Sequence, residues 1–261
     1  MKRVTLLFLV VFAGFFVINQ SFSAMDGLVG LWTFDLASGT KVADVSGKGH
    51  TGDLVGSAKL DASGKFGSAL SCDGTAGGFF SVPDNADFKF SGDFSIACWF
   101  SNNTAPADNS ALVAKGYHTI PANGGDAKPW YMVYFLKAGT VDLFLRDSKA
   151  VNSRTTGKVL VNDGKWHHVV GLKAGNKVKV YIDGKEDGVA DAVDAVYGDN
   201  TQPLVFMVHY DRWLKGSLDE VAIFNKALTE ADIATVMKGL ASGVSAVDSK
   251  GKLAVAWSQL K

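Results

Sequence analysis

DGKWHHVVGLKAGNKVKVYIDGK, residues 163–185, holds two runs of strand character joined by a glycine turn and closed by an Asp-Gly pair. In KVKVYID (177–183) apolar and polar side chains alternate, the repeat of a strand that buries one face, and WHHVVGLK (166–173) extends the same reading upstream. Gly175 in LKAGNK (172–177) lies where a hairpin needs a positive φ, and Asp183-Gly184 in IDGKE (182–186) is a strong hairpin signal. The same period settles the adjacent histidines. Successive residues of a strand project to opposite faces, so His167 and His168 cannot share one metal ion and read as one inward and one outward residue. A structural, hydrogen-bonded imidazole is the favoured reading.

Outward from this stretch the pattern repeats. Strands are predicted at GLVGLWTF (27–34), SALSC (68–72), FFSVP (79–83), DFSIACWF (93–100), WYMVYFL (130–136), TVDLFLR (140–146), LVFMVH (204–209) and GSLDEVAIFN (216–225). Abundant Gly, Asp, Val and Phe with only three glutamates (Glu186, Glu220, Glu230) disfavour helix. One helix is predicted in NKALTEADIATVMKGL (225–240), capped by Thr229 with Asp232 at its third position and stopped at Gly239. Its stripe of Ile233, Val236, Met237 and Leu240 should dock on the strands. SNNTAPADNS (101–110) and GYHTIPANGGDAKP (116–129) read as long loops.

Residues 1–23 combine two early cations, an apolar run from Val4 to Val17 and small residues at Ser21 and Ser23, the form of a secretory signal peptide. The expected product is secreted, periplasmic or displayed at a cell surface, with no membrane span in the mature chain. Residues 24–241 read as one domain and residues 242–261 as a linker and short tail. Charges balance at 26 against 26, so no global basic or acidic surface points to nucleic acid or anionic lipid. In an exported chain Cys72 and Cys98 raise a disulfide as one alternative; two small buried thiols in strands are the other.

GLWTFDLASGTKVADVSGKGHTGDL, KFGSALSCDG, FFSVPDNADFKFSGDFSIACWF, DGKWHHVVGLKAGNKVKVYIDGK and KGSLDEVAIFNKALTEADI follow one another over roughly residues 26–240. Together they resemble the laminin-G-like, concanavalin A-like jelly-roll domains of secreted bacterial proteins. The resemblance implies an all-β fold, a two-sheet antiparallel jelly-roll sandwich with one short C-terminal helix. It also implies a structural Ca2+ at a rim, for which Asp35, Asp44 and Asp219 offer the oxygens. The alternative is an Asx turn at Asp44 and a capped or solvated carboxylate at Asp219. Three positions depart from the family: Lys48 stands where asparagine is frequent, Cys72 replaces the usual phenylalanine, and MVHYDRWLKG (207–216) is unusually aromatic and charged.

Laminarinase and lichenase relatives of this fold place two glutamates a few residues apart on one strand. Here the glutamates are at least ten residues apart, which argues against a retaining glycosidase. No nucleophile elbow or phosphate loop is present. The leading reading is therefore a non-catalytic, lectin-like carbohydrate-binding module. The alternatives are an adhesion module binding an extracellular protein surface and a divergent glycoside hydrolase. Tyr117, His118 and Trp130 from the long loop, Arg146 at a strand end, and Tyr210, Arg212 and Trp213 from the late loop are the candidate ligand contacts. Packing against the sandwich edge is the competing role for Trp130 and Trp213.

Overall fold

The computed structural model describes residues 25–75, 77–116 and 129–240. In chain order the strands are β1 (Leu28–Trp32), β2 (Ala37–Ser38), β3 (Lys41–Val42), β4 (Gly52–Val55), β5 (Lys59–Asp61), β6 (Ala69–Asp73), β7 (Phe79–Val82), β8 (Phe94–Ser101), β9 (Ser110–Lys115) and β10 (Trp130–Phe135). There follow β11 (Val141–Arg146), β12 (Asn152–Arg154), β13 (Trp166–Ala174), β14 (Lys177–Ile182), β15 (Lys185–Asp191), β16 (Leu204–Phe206), β17 (Val208–His209), β18 (Arg212–Trp213), β19 (Lys215–Phe224) and the helix α1 (Glu230–Val236).

One sheet runs β15-β14-β13-β8-β19-β6-β5, with β1 also on β19, and the other runs β12-β11-β10-β9-β16-β7-β4-β3-β2. Every pairing is antiparallel, as expected of a jelly-roll sandwich. The quoted stretch forms β13 and β14 as read, and its Asp183-Gly184 turn leads into a third antiparallel strand, β15. Asp183 and Gly184 both take positive φ (51° and 79°), which a two-residue turn of this hand requires.

Between the sheets the alternation decides who is inside. Phe94, Ile96, Cys98 and Phe100 of β8 meet Tyr131, Val133 and Phe135 of β10 and Val141, Leu143 and Leu145 of β11 in one buried cluster. A second aromatic group in that core packs Trp32, Phe80, Phe88 and Phe206, with ring centroids 5.2–6.5 Å apart. Each such side chain contributes roughly 1.5–3 kcal/mol on burial.

The long strand β19 serves two neighbours along one edge: Lys215–Leu218 pair with β6, and Val221–Phe224 pair with β1. The handover falls at a bulge between Asp219 and Ala222, where Glu220 adopts a left-handed φ of 50°. Beyond β19, α1 has the expected capping box between Thr229 and Asp232 and buries Ile233 and Val236.

The two cysteines are free and buried, so the disulfide is not formed. Cys72 on β6 pairs with Gly216 of β19, and β8 lies on the far side of β19. Two strand spacings, about 10 Å, already exceed the roughly 7 Å that a disulfide can bridge. Tyr117, His118, residues 1–23 and the tail at 242–261 lie outside the described residues.

Candidate functional site

The face of the nine-stranded sheet turned away from the core collects most of the predicted ligand contacts. On β10, Tyr131, Val133 and Phe135 point into the core, so Trp130, Met132 and Tyr134 line the opposite face. Register carries that face across the sheet: Trp130 is level with Arg146 and Arg146 with Asn152; Met132 is level with Phe144 and Phe144 with Arg154; Tyr134 is level with Asp142. The rings pack edge to face, Trp130 on Phe144 at 4.8 Å and 85°. Arg154 lies over Phe144 at 5.0 Å and Tyr134 at 5.6 Å, and its Nε donates to Asp142 Oδ2 at 2.7 Å.

The hairpin β17-β18 closes over this face. Its Val208 joins the apolar cluster of Ala111, Ala114, Trp130, Met132, Tyr134 and Val205, and Trp213 packs against the same cluster. The His209 ring meets Tyr134 at 5.4 Å and 84°. Arg212 Nε pairs with Asp108 Oδ2 at 3.1 Å, while its carbonyl accepts from Ser110 Oγ at 2.6 Å. Tyr210, at the tip of the hairpin, is exposed. Burial pushes the Tyr134 phenol above its ordinary range, and the nearby Arg212 and Arg154 guanidinium groups pull it back.

Thus Trp130, Arg146, Arg212 and Trp213 are assembled on one face with Tyr210 at its margin. Trp130 is buried at 2% exposure, so it acts as a wall rather than a stacking platform. Sequence reasoning missed Tyr134, Phe144, Asp142, Arg154 and His209. Parity would have found three of them: Tyr134 shares a face with Trp130 in WYMVYFL, as Asp142 and Phe144 do with Arg146 in TVDLFLR. Two buried polar atoms of this face, Arg146 Nε and Trp213 Nε1, have no hydrogen-bond partner among the described residues.

The stretch between Gly116 and Pro129 begins and ends beside this face. Lys115 is fully buried, and its ammonium donates to Asp84 Oδ1 (2.7 Å) and to the carbonyls of Asn200 (3.3 Å) and Gln202 (2.7 Å). Asn200 Nδ2 in turn donates to the Pro129 carbonyl at 2.8 Å.

The model of the concanavalin A-like lectin/glucanase superfamily (Laminin_G_3) matches residues 73–234. This chain belongs to that superfamily. Among solved structures, its fold is similar to the binding domain of Paraclostridial Mosquitocidal Protein 1, at 16% identity and a TM-score of 0.65 over 80% of this chain and 51% of that one. It is also similar to domain 4 of AbnA, an extracellular arabinanase from Geobacillus stearothermophilus solved with arabinotriose, at 19% identity and a TM-score of 0.63 over 80% of this chain and 97% of that one. A third is the ligand-binding domain of botulinum neurotoxin serotype D solved with N-acetylneuraminic acid, at 14% identity and a TM-score of 0.61 over 82% and 51%. The chain therefore spans about half the length of the toxin domains, and at these identities the likeness is one of fold. No curated protein matches the sequence.

On the other sheet of this concanavalin A-like sandwich, the histidine pair divides as the strand period requires, with an unexpected allocation of burial. His167 is level with core-facing Phe100, but it sits at the rim, where Nδ1 bonds Asp183 Oδ2 at 2.8 Å and Nε2 bonds Asp163 Oδ1 at 3.0 Å. His168 points to the outer face and is nonetheless the buried one. It lies in a row with Trp99 and Asp219, level with one another across β13, β8 and β19. Phe66 stacks edge-on against Trp99 at 6.2 Å, and Lys65 Nζ lies 4.0 Å from the Trp99 ring centre. Among the described residues His168 Nδ1 lacks the hydrogen-bond partner that was expected for it.

The three aspartates read as rim ligands are engaged by backbone N–H groups. Asp44 Oδ1 accepts from Ser46 N, as in an Asx turn, and from Leu31 N, while its Oδ2 accepts from His50 N. Asp35 Oδ1 accepts from Ser68 N, and Asp219 from Phe66 N and Glu220 N. Among the described residues no three His, Cys, Asp or Glu side chains are grouped to hold a metal. The glutamates stand apart: Glu186 on β15 pairs with Lys179, Glu220 in the β19 bulge accepts from Leu240 N, and Glu230 opens α1.

Proposed function

We propose that this chain is a non-catalytic carbohydrate-binding module of an exported protein, and that it takes its ligand at the outer face of the nine-stranded sheet, beside the β17-β18 hairpin. The observation that carries the reading is the convergence there of the accessible rings of Phe144, Tyr210 and Trp213, backed by buried Trp130 and Tyr134, with Arg146, Arg154 and Arg212. Aromatic faces suit the apolar side of a sugar ring, and guanidinium and indole N–H groups suit its hydroxyls. Two structural neighbours were solved with arabinotriose and with N-acetylneuraminic acid, which supports this direction. The separate placement of the three glutamates supports binding without turnover.

A glycan array with the purified protein tests the proposal. At least one glycan is expected to bind, and Tyr210→Ala and Trp213→Ala are expected to weaken it about tenfold or more, as loss of an aromatic anchor does. Absence of binding across the array, or binding untouched in both variants, overturns it.

A further inference from the structure

We infer that the sugar taken by this face is an acidic one, its carboxylate paired with Arg146; the inference rests on the carbohydrate reading above. The chain has four arginines, Arg3, Arg146, Arg154 and Arg212, and the three within the sandwich all stand on this one face. Lysines, by contrast, are spread over the molecule, and several pair with nearby aspartates, as Lys41 does with Asp53 and Lys177 with Asp191.

Two of the three arginines are already neutralised. Arg154 is spent on Asp142 and Arg212 on Asp108. Among the described residues Arg146 has no carboxylate within ion-pair distance. Its Nε is buried without a hydrogen-bond acceptor, while the side chain as a whole is partly open to solvent. The neighbouring Asp147 does not answer it, because that side chain accepts from the Val151 backbone N–H instead. A buried donor of a permanent cation without an acceptor is costly to leave unmade. A planar carboxylate satisfies it with two parallel N–H bonds, a geometry that a hydroxyl cannot offer. Trp130, level with Arg146 on the neighbouring strand, walls the position on one side, and Asn152 supplies an amide on the other.

The shared chemistry is a sugar ring bearing a carboxylate, whether a hexuronate or a sialic acid. The test compares polygalacturonate with its methyl ester by affinity electrophoresis, and 3′-sialyllactose with its methyl ester by calorimetry, so that the two arms separate the two sources. At least one acid is expected to bind about tenfold or more tightly than its ester. Arg146→Gln should erase that preference, and raised salt should weaken the native chain's binding. Arg146→Lys keeps the stem and the charge, and it reads the site if the glutamine variant does not fold. It should lose roughly threefold or more of the preference, because an ammonium cannot bond both oxygens in the plane. Equal binding of acid and ester, or a preference that persists in the variants, overturns the inference and leaves the carbohydrate module standing. Binding of no saccharide on either arm overturns both.

Discussion

His168 and Asp219 flank Trp99 in one buried row, and burial drives their titrations in opposite directions. Desolvation lowers the His168 imidazole to about 4, against the weaker pull of Asp183. Desolvation raises the Asp219 carboxyl to about 7, opposed by the bond from Phe66 N and reinforced by the Glu220 charge. A histidine with a depressed folded value contributes stability that is complete above about 6.5 and lost as pH falls toward 4. An aspartate with a raised folded value contributes stability that is complete below 3.8 and lost as pH rises through about 7. Their slopes therefore oppose each other between these limits. Melting curves from pH 4 to 8 should show His168→Gln losing less stability than the native chain on acidification. Asp219→Asn should gain on the native chain as pH rises, by several degrees at pH 8. Parallel curves for all three proteins would refute the assignment. Sequence parity separated the two histidines correctly; it could not tell which was buried, because Lys65 and Phe66 come from a segment a hundred residues away.

At the scale of the element, the β17-β18 hairpin keeps a tyrosine where the backbone favours glycine. Tyr210 takes a φ of 63° at the first position of a two-residue turn, a setting that costs a non-glycine residue about 1–2 kcal/mol. Strain of this kind is retained where the side chain has a task. Tyr210→Gly should thus melt no lower than the native chain while binding its glycan about tenfold or more weakly; a variant that loses stability and keeps its affinity would reverse the argument. The departure of MVHYDRWLKG from its family pattern was legible in the sequence. The break within LVFMVH was not, because it depends on Met207 adopting a left-handed φ of 66° that no apolar alternation announces. β12 and β15 were missed for a related reason: NSR and KEDGVAD are sheet-edge segments with largely exposed side chains and carry little burial pattern to read.

For the molecule as a whole, the ten strongest alternating runs all became strands, since a core-facing strand needs apolar residues on alternate positions and the core leaves no other place for them. Tertiary pairings, by contrast, are set between distant segments, so neither the shared outer face nor the isolation of Arg146 was readable along the chain. The same sandwich shields its thiols: burial raises Cys72 to about 12 and Cys98 further still. In native protein at pH 8 neither thiol should react with a thiol-exchange reagent within the time that both react in guanidinium; rapid labelling of the folded chain would contradict their placement. Lastly, Lys115 and Asn200 fasten the two feet of the stretch between Gly116 and Pro129 to the same knot of buried polar bonds. Two ends held by the sandwich's own polar bonds set a fixed gap for whatever chain joins them. That gap is a grafting port, a place where a library of peptides can be offered against an unchanged floor.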